Sequence, residues 1–226
     1  DIDGFIIYPA PGHETENMLK KECGNKPYLL IADSLAVKEG ETASPTIQPD
    51  HREIGRRLGE QLKTKKQKIG IIADWKMSEA VQAEISGLTE ALEGSGSEIS
   101  WCIYRRKEQN ITERMKEETK ADALVILDPG VLEEFGEQAE HGKYKGAELY
   151  GVGYSLKTVA LLDKGNIQGL VVPDGYEIGY KSVKEIAGKI EHKFYKMKGY
   201  TTEYQIFSKK DFSMDDDLER FLYSYE

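Results

Sequence analysis

Four aspartates occupy the same kind of position in this chain. Asp33, Asp74, Asp128 and Asp174 each follow a short aliphatic run: Tyr28 to Ala32, Lys68 to Ala73, Ala123 to Leu127 and Gln168 to Pro173. A carboxylate at the end of a strand can accept hydrogen bonds from ligand hydroxyls or an amine, or it can cap the next helix. Asp128 precedes Pro129 and Gly130, which favours the cap, because proline is at home just inside a helix start. Asp74 precedes Trp75, whose ring either stacks on a sugar or heterocycle or anchors its own loop, and this neighbour favours the ligand role for Asp74. Tyr154 and Tyr176 sit in equivalent positions after strand-like runs, with Tyr176 also reading as the opening of the last long helix. The opening run Asp3 to Tyr8 breaks into Pro9-Ala10-Pro11-Gly12-His13, a rigid loop that makes Pro11 and His13 further candidates. The set Pro11, His13, Asp33, Asp74, Trp75, Asp128, Tyr154 and Tyr176 is the predicted ligand-binding surface.

Enzyme chemistry finds little here. Gly151-x-Gly153 follows a strand, but Leu156 stands where a dinucleotide loop needs its third glycine. The chain carries no phosphate loop, no Gly-x-Ser-x-Gly elbow and no catalytic pair of carboxylates. His51, His141 and His192 lie on polar helical stretches and read as solvated, and no two histidines have metal spacing. Cys23 and Cys102 are far apart and match no disulfide framework, zinc site or thioredoxin-type motif. The expectation is a non-enzymatic protein without metal or cofactor.

The elements that must position the candidates alternate. Strands at 5–8, 28–32, 68–73, 99–104, 123–127, 148–152 and 167–172 are interleaved with helices at 14–24, 51–63, 78–93, 112–119, 131–139, 156–163 and 177–198. Ile54, Leu58 and Leu62 line one face of the second helix behind an Asp50 cap, and Val81, Ile85, Leu88 and Leu92 line the third. The polar stretch Lys38 to Pro49 reads as a linker; the tail adds a strand at 204–207 and an acidic helix near 215–222. Strand alternating with helix means βαβ units, hence parallel sheet covered on both faces, with ligands outside the carboxyl ends of the strands.

Bulk properties exclude other classes. A chain of 226 residues needs no disulfide or metal to hold a core. The net charge of −9 repels nucleic acid, and the basic runs 63–68 and 105–107 are bracketed by acids and read as solvated. No apolar stretch approaches the length of a bilayer span.

Several residues together resemble the type I periplasmic-binding-protein family, shared by sugar-binding proteins of ABC transporters and effector domains of lac-repressor-like regulators. They are the Asp-Gly-hydrophobic-Pro strand at 3–9, Gln48-Pro49-Asp50 leading to Gly55, Gly87-Leu88, the string Tyr150 to Ser155, Lys164-Gly165 and Gly179. The resemblance implies a two-lobed α/β fold with three crossing segments and a ligand between the lobes. It places residues 1–33 and 173–200 in the first lobe and 34–172 and 201–226 in the second. Asp1 stands just ahead of a strand without an initiator Met, which predicts a trimmed chain. Its first lobe would then lack two βα units of roughly 60 residues, leaving an open sheet edge. Positions at which sugar-binding members carry Arg, Asn, Asp and Gln hold Glu84, Asp128, Gly153 and Pro173 instead.

The resulting expectation is an extracytoplasmic solute-binding protein that captures a carbohydrate or related polar metabolite by hinge closure and presents it to a membrane permease. A homodimer is compatible with this reading, and direct nucleic-acid contact is not expected. The alternative is the effector-binding domain of a lac-repressor-like regulator, which would be cytoplasmic.

Overall fold

The structure, a computed structural model, describes residues 2–9, 16–35, 43–74, 78–105, 110–144 and 146–208. Its strands fall into two sheets. β1 (Phe5–Ile7), β2 (Tyr28–Ile31), β3 (Thr46–Pro49) and β9 (Tyr200–Thr202) form the first, all parallel, in that order. The second comprises β4 (Lys68–Ala73), β5 (Glu98–Tyr104), β6 (Ala123–Ile126), β7 (Glu148–Val152), β8 (Gly169–Pro173) and β10 (Tyr204–Ser208), ordered β10-β8-β7-β6-β4-β5. The five strands expected to share one parallel sheet do so, and β10 closes its edge antiparallel to β8.

Period-two alternation assigns each face of the second sheet its own helices. Ile69, Ile71, Ala123 and Val125 point to α2 (His51–Leu62) and α3 (Glu79–Leu92), which return Ile54, Leu58, Leu62, Val81, Leu88 and Leu92. Ile72, Leu124 and Ile126 point to the opposite face, where α5 (Pro129–Glu140) and α6 (Leu156–Asp163) supply Leu132, Phe135, Val159 and Leu162. Each such fully buried side chain contributes roughly 1.5–3 kcal/mol by leaving water. The first sheet is thinner. Leu29 and Ile47 meet Ile178 and Ile186 of α7 (Gly175–Glu191), while Leu30 meets Leu19 of α1 (Glu16–Cys23) and Leu35. The remaining helix, α4 (Ile111–Met115), is shorter than the predicted 112–119.

Capping follows the sequence. Asp50, Ser78, Asn110, Asp128, Ser155 and Asp174 each accept a bond from a backbone N–H of the helix they precede. Gly24 ends α1 with φ of +61°. Two differences stand out. The stretch read as a linker ends in β3, within the first sheet, although the expected boundary gave residues from 34 onward to the second lobe. Thr-Ile-Gln-Pro is too short and too polar to announce itself as a strand. The helix expected to reach Lys198 stops at Glu191, and β9 follows it unannounced. The helix expected near 215–222 lies outside the described residues.

Among the described residues three short crossings join the sheets: Pro49 to His51, Pro173 to Gly175, and Thr202 to Tyr204. They are stitched side by side. Pro49 pairs with Thr202, and the Asp174 N–H donates to the Glu203 carbonyl at 3.0 Å.

Candidate functional site

The carboxyl ends of β4, β5 and β6 bring Asp74, Arg105 and Asp128 together. Arg105 Nε donates to Asp74 Oδ1 at 3.2 Å, and its Nη2 lies 3.0 Å from Asp128 Oδ2. Asp128 has two roles. Its Oδ1 accepts from the Val131 N–H at 3.0 Å and caps α5; its buried Oδ2 has no aligned hydrogen bond, only the neighbouring guanidinium. Burial raises the Asp74 carboxyl against the opposing pull of Arg105, with Asp128 adding to the rise. Burial disfavours the Arg105 guanidinium, but Asp128 and Asp74 outweigh it and hold its charge more firmly than usual.

Tyr8, just past β1 of the other sheet, lies within the electrostatic reach of this cluster. Its side chain is 65% exposed, yet desolvation and then the fields of Asp33, Tyr154, Asp74 and Asp128 push its phenol up to about 12. A hydroxyl that stays protonated across the ordinary pH range is a permanent donor as well as an acceptor. Tyr154, 63% exposed just beyond β7, gives a second aromatic surface. A planar guanidinium, two carboxylates and two phenols on the facing ends of two sheets form a set suited to the paired hydroxyls of a neutral, polar ring.

The predicted residues therefore divide. Asp74, Asp128 and Tyr154 gather with Tyr8. Asp33 is nearby, but its oxygens are already committed: Oδ1 accepts from the Ser34 and Ala80 N–H groups, and Oδ2 accepts from Ser78 Oγ, all between 2.8 and 2.9 Å. It ties the first sheet to the start of α3 instead of offering a carboxylate. Tyr176 stands in the first turn of α7, 67% exposed and stacked on Tyr180. Pro11, His13 and Trp75 lie outside the described residues.

Sequence reasoning missed Tyr8 and Arg105. Tyr8 was counted as strand, and Arg105 was taken for solvated charge within a basic run. The available signal was position, since each directly follows a strand that ends at the cleft. His51 also departs from its expected solvation. Its side chain is 12% exposed, with Nδ1 2.8 Å from Glu84 Oε1 and Nε2 2.6 Å from the Ala32 carbonyl oxygen. This arrangement depends on two glycines. A Cβ on Gly55 would stand 1.8 Å from the Glu84 carbonyl oxygen and one on Gly87 1.9 Å from that of Arg52, so α2 and α3 touch backbone to backbone. Glu84 is thereby buried beneath α2.

Among the described residues no His, Cys, Asp or Glu group has the arrangement of a metal site, and no helix is long and apolar enough to cross a membrane.

No curated protein matches the chain by sequence. Solved structures match its fold. A glucose-galactose binding protein from Geobacillus stearothermophilus is 20% identical, with a TM-score of 0.75 over 93% of this chain and 78% of its own. A carbohydrate transporter solute binding protein from Agrobacterium radiobacter, in complex with D-arabinose, is 18% identical, with a TM-score of 0.79 over 97% of this chain and 78% of its own. A putative LacI transcriptional regulator from Bacteroides fragilis is 14% identical, with a TM-score of 0.75 over 94% and 78%. The family described as periplasmic binding protein domain matches residues 1–193. With that match covering most of the sequence, the two sheets, their crossings and the facing strand ends have a common explanation: the chain belongs to the periplasmic-binding-protein domain family.

Proposed function

We infer that the protein is a solute receptor that closes around a neutral sugar or polyol and presents it to an ABC-type permease. Residues 2–49 with 174–202 form one lobe and residues 50–173 with 203–208 the other. The observation that carries the reading is Arg105 held between Asp74 and Asp128 opposite Tyr8, a hydrogen-bonding surface split between two sheets. Ligand that bridges both halves binds the closed state better than the open one and shifts the population accordingly. Tyr8 serves the first lobe; Asp74, Arg105 and Asp128 serve the second, with Tyr154 just beyond β7. In this reading the receptor acts outside the cytoplasm and without catalysis. The structures similar in fold, a sugar transporter component among them, favour this role over the regulator alternative.

A thermal-shift screen against neutral monosaccharides, inositols, nucleosides and amino acids tests the reading. A ligand at one hundred times its dissociation constant adds about 2.7 kcal/mol to stability. A response confined to nucleosides or amino acids, or absent throughout, would count against it.

A further inference from the structure

The turn at Ala32 and Asp33, at the end of β2, is gripped from two directions by the other lobe. Ala32 has φ of +64°, a left-handed conformation that is costly for a residue with a Cβ, and the Asp33 N–H closes the turn by donating to the Ile31 carbonyl at 2.8 Å. Such strain persists only where surrounding contacts hold it. Here the Asp33 carboxylate accepts from Ser78 Oγ and the Ala80 N–H at the start of α3, while the Ala32 carbonyl accepts from His51 Nε2 at the start of α2. Asp33 is 4% exposed, so these bonds are shielded from water. They add to the three short crossings by which the described residues join the lobes.

We propose that the Ala32–Asp33 turn is a closure latch, engaged while the His51–Glu84 pair keeps its proton and released when that proton is lost. A carbonyl oxygen only accepts, so the bond to Ala32 requires hydrogen on Nε2. Nδ1 faces Glu84 Oε1 at 2.8 Å, so one more proton must lie between them, as imidazolium with carboxylate or as neutral imidazole with carboxylic acid. Removing it leaves a ring lone pair against a carboxylate, and the imidazole must turn or move away, taking its grip on Ala32 with it. The charged groups around His51 are Glu84 of α3, Asp33 of the turn, Asp50 and Arg52 beside it on α2, and Glu79, which shares a cavity of about 380 Å³ with His51. Burial disfavours the imidazolium, but the hydrogen bond and charge of Glu84 outweigh it and raise the His51 pKa; burial likewise raises that of Glu84. Both shifts have the same sign. The latch is complete below the ordinary histidine range and is lost as pH rises through the pair's own, higher range.

Small-angle scattering of the ligand-free protein between about pH 6 and about pH 9 reads the lobes directly and needs no knowledge of the ligand. The radius of gyration should increase with pH in the native chain. In His51→Gln, which keeps a donor for Ala32 but carries no titrating proton, it should stay constant. Imidazole ¹⁵N shifts of the native chain give a second measurement should the variant fail to fold: Nε2 should remain protonated throughout, and the Nδ1 signal should change, as the proton shared with Glu84 is lost, only above the ordinary histidine range. A pH-independent radius in the native chain, a His51→Gln profile that follows the native one, or a His51 ring that titrates at or below the ordinary value would overturn the latch.

Discussion

Gly87→Ala adds one methyl group where α3 crosses α2, and the structure leaves no room for it. Its carbon would sit 1.9 Å from the Arg52 carbonyl oxygen and 2.8 Å from the Arg56 nitrogen, both backbone atoms that cannot rotate away. Ordinary carbon–oxygen contact is about 3.3–3.6 Å even for the closest weak bonds, so the helices must separate by about 1.5 Å. A gap of 0.5–1 Å already forfeits about a quarter to a half of a contact's dispersion energy. That loss falls on the side chains between the helices: Ile54, Leu58, Val81 and Leu88. Overpacking of this kind costs about 3 kcal/mol, at the upper end of its usual range, and the better helix propensity of alanine returns about 1 kcal/mol. The net loss of about 2 kcal/mol corresponds to a melting point lower by about 4–8 °C for a chain of this size. Gly179→Ala is the control. It lies in α7 with no atom within 4 Å of its added Cβ, and it should raise stability by up to about 1 kcal/mol. Thermal melts of the two variants should therefore move in opposite directions. If Gly87→Ala melts at or above the native temperature, the helices are not in backbone contact and the packing that buries Glu84 is wrong.

Other expectations follow from the site and the surface. Arg105→Gln should weaken sugar binding roughly 10- to 150-fold, the range of one charge-assisted hydrogen bond, as read by calorimetry; unchanged affinity would remove Arg105 from the site. Because the folded-state pKa of His51 is raised, stability should decline as pH climbs beyond the ordinary histidine range, whereas the raised Glu84 carboxyl lowers it from the ordinary carboxylate range upward. Thermal melts across the histidine range should show the decline in the native chain and a smaller one in His51→Gln; parallel curves would exclude the pair as its source. Tyr176, Tyr180, Val183 and Ile190 form an exposed apolar stripe on α7, and β1 is the edge of its sheet among the described residues. Light scattering should show concentration-dependent association that Tyr180→Lys with Val183→Lys abolishes; a native chain that stays monomeric at high concentration would contradict this.

The second sheet was legible because its central strands are aliphatic and buried, so Ile69 to Ala73 and Ala123 to Leu127 stand out from any background. β3 and β9 were not. Thr46–Pro49 and Tyr200–Thr202 carry few apolar residues and become strands through the partners beside them. At the strand ends, position alone pointed to Asp74 and Asp128, which the structure gathers around Arg105. For Asp33 the same position does not reveal that Ser78 and Ala80 at the start of α3 will claim its oxygens. His51 was misread for a related reason: its solvation is decided by Gly55 and Gly87, which let α3 come close enough for Glu84 to reach it.

Scattering and calorimetry on one sample, titrated with the sugar selected by the thermal screen, test capture between the lobes most directly. Saturable binding should coincide with a fall in the radius of gyration, and Arg105→Gln should shift both transitions to higher sugar concentration together. Binding that leaves the radius unchanged, or that Arg105→Gln does not weaken, would contradict capture between the lobes at this site.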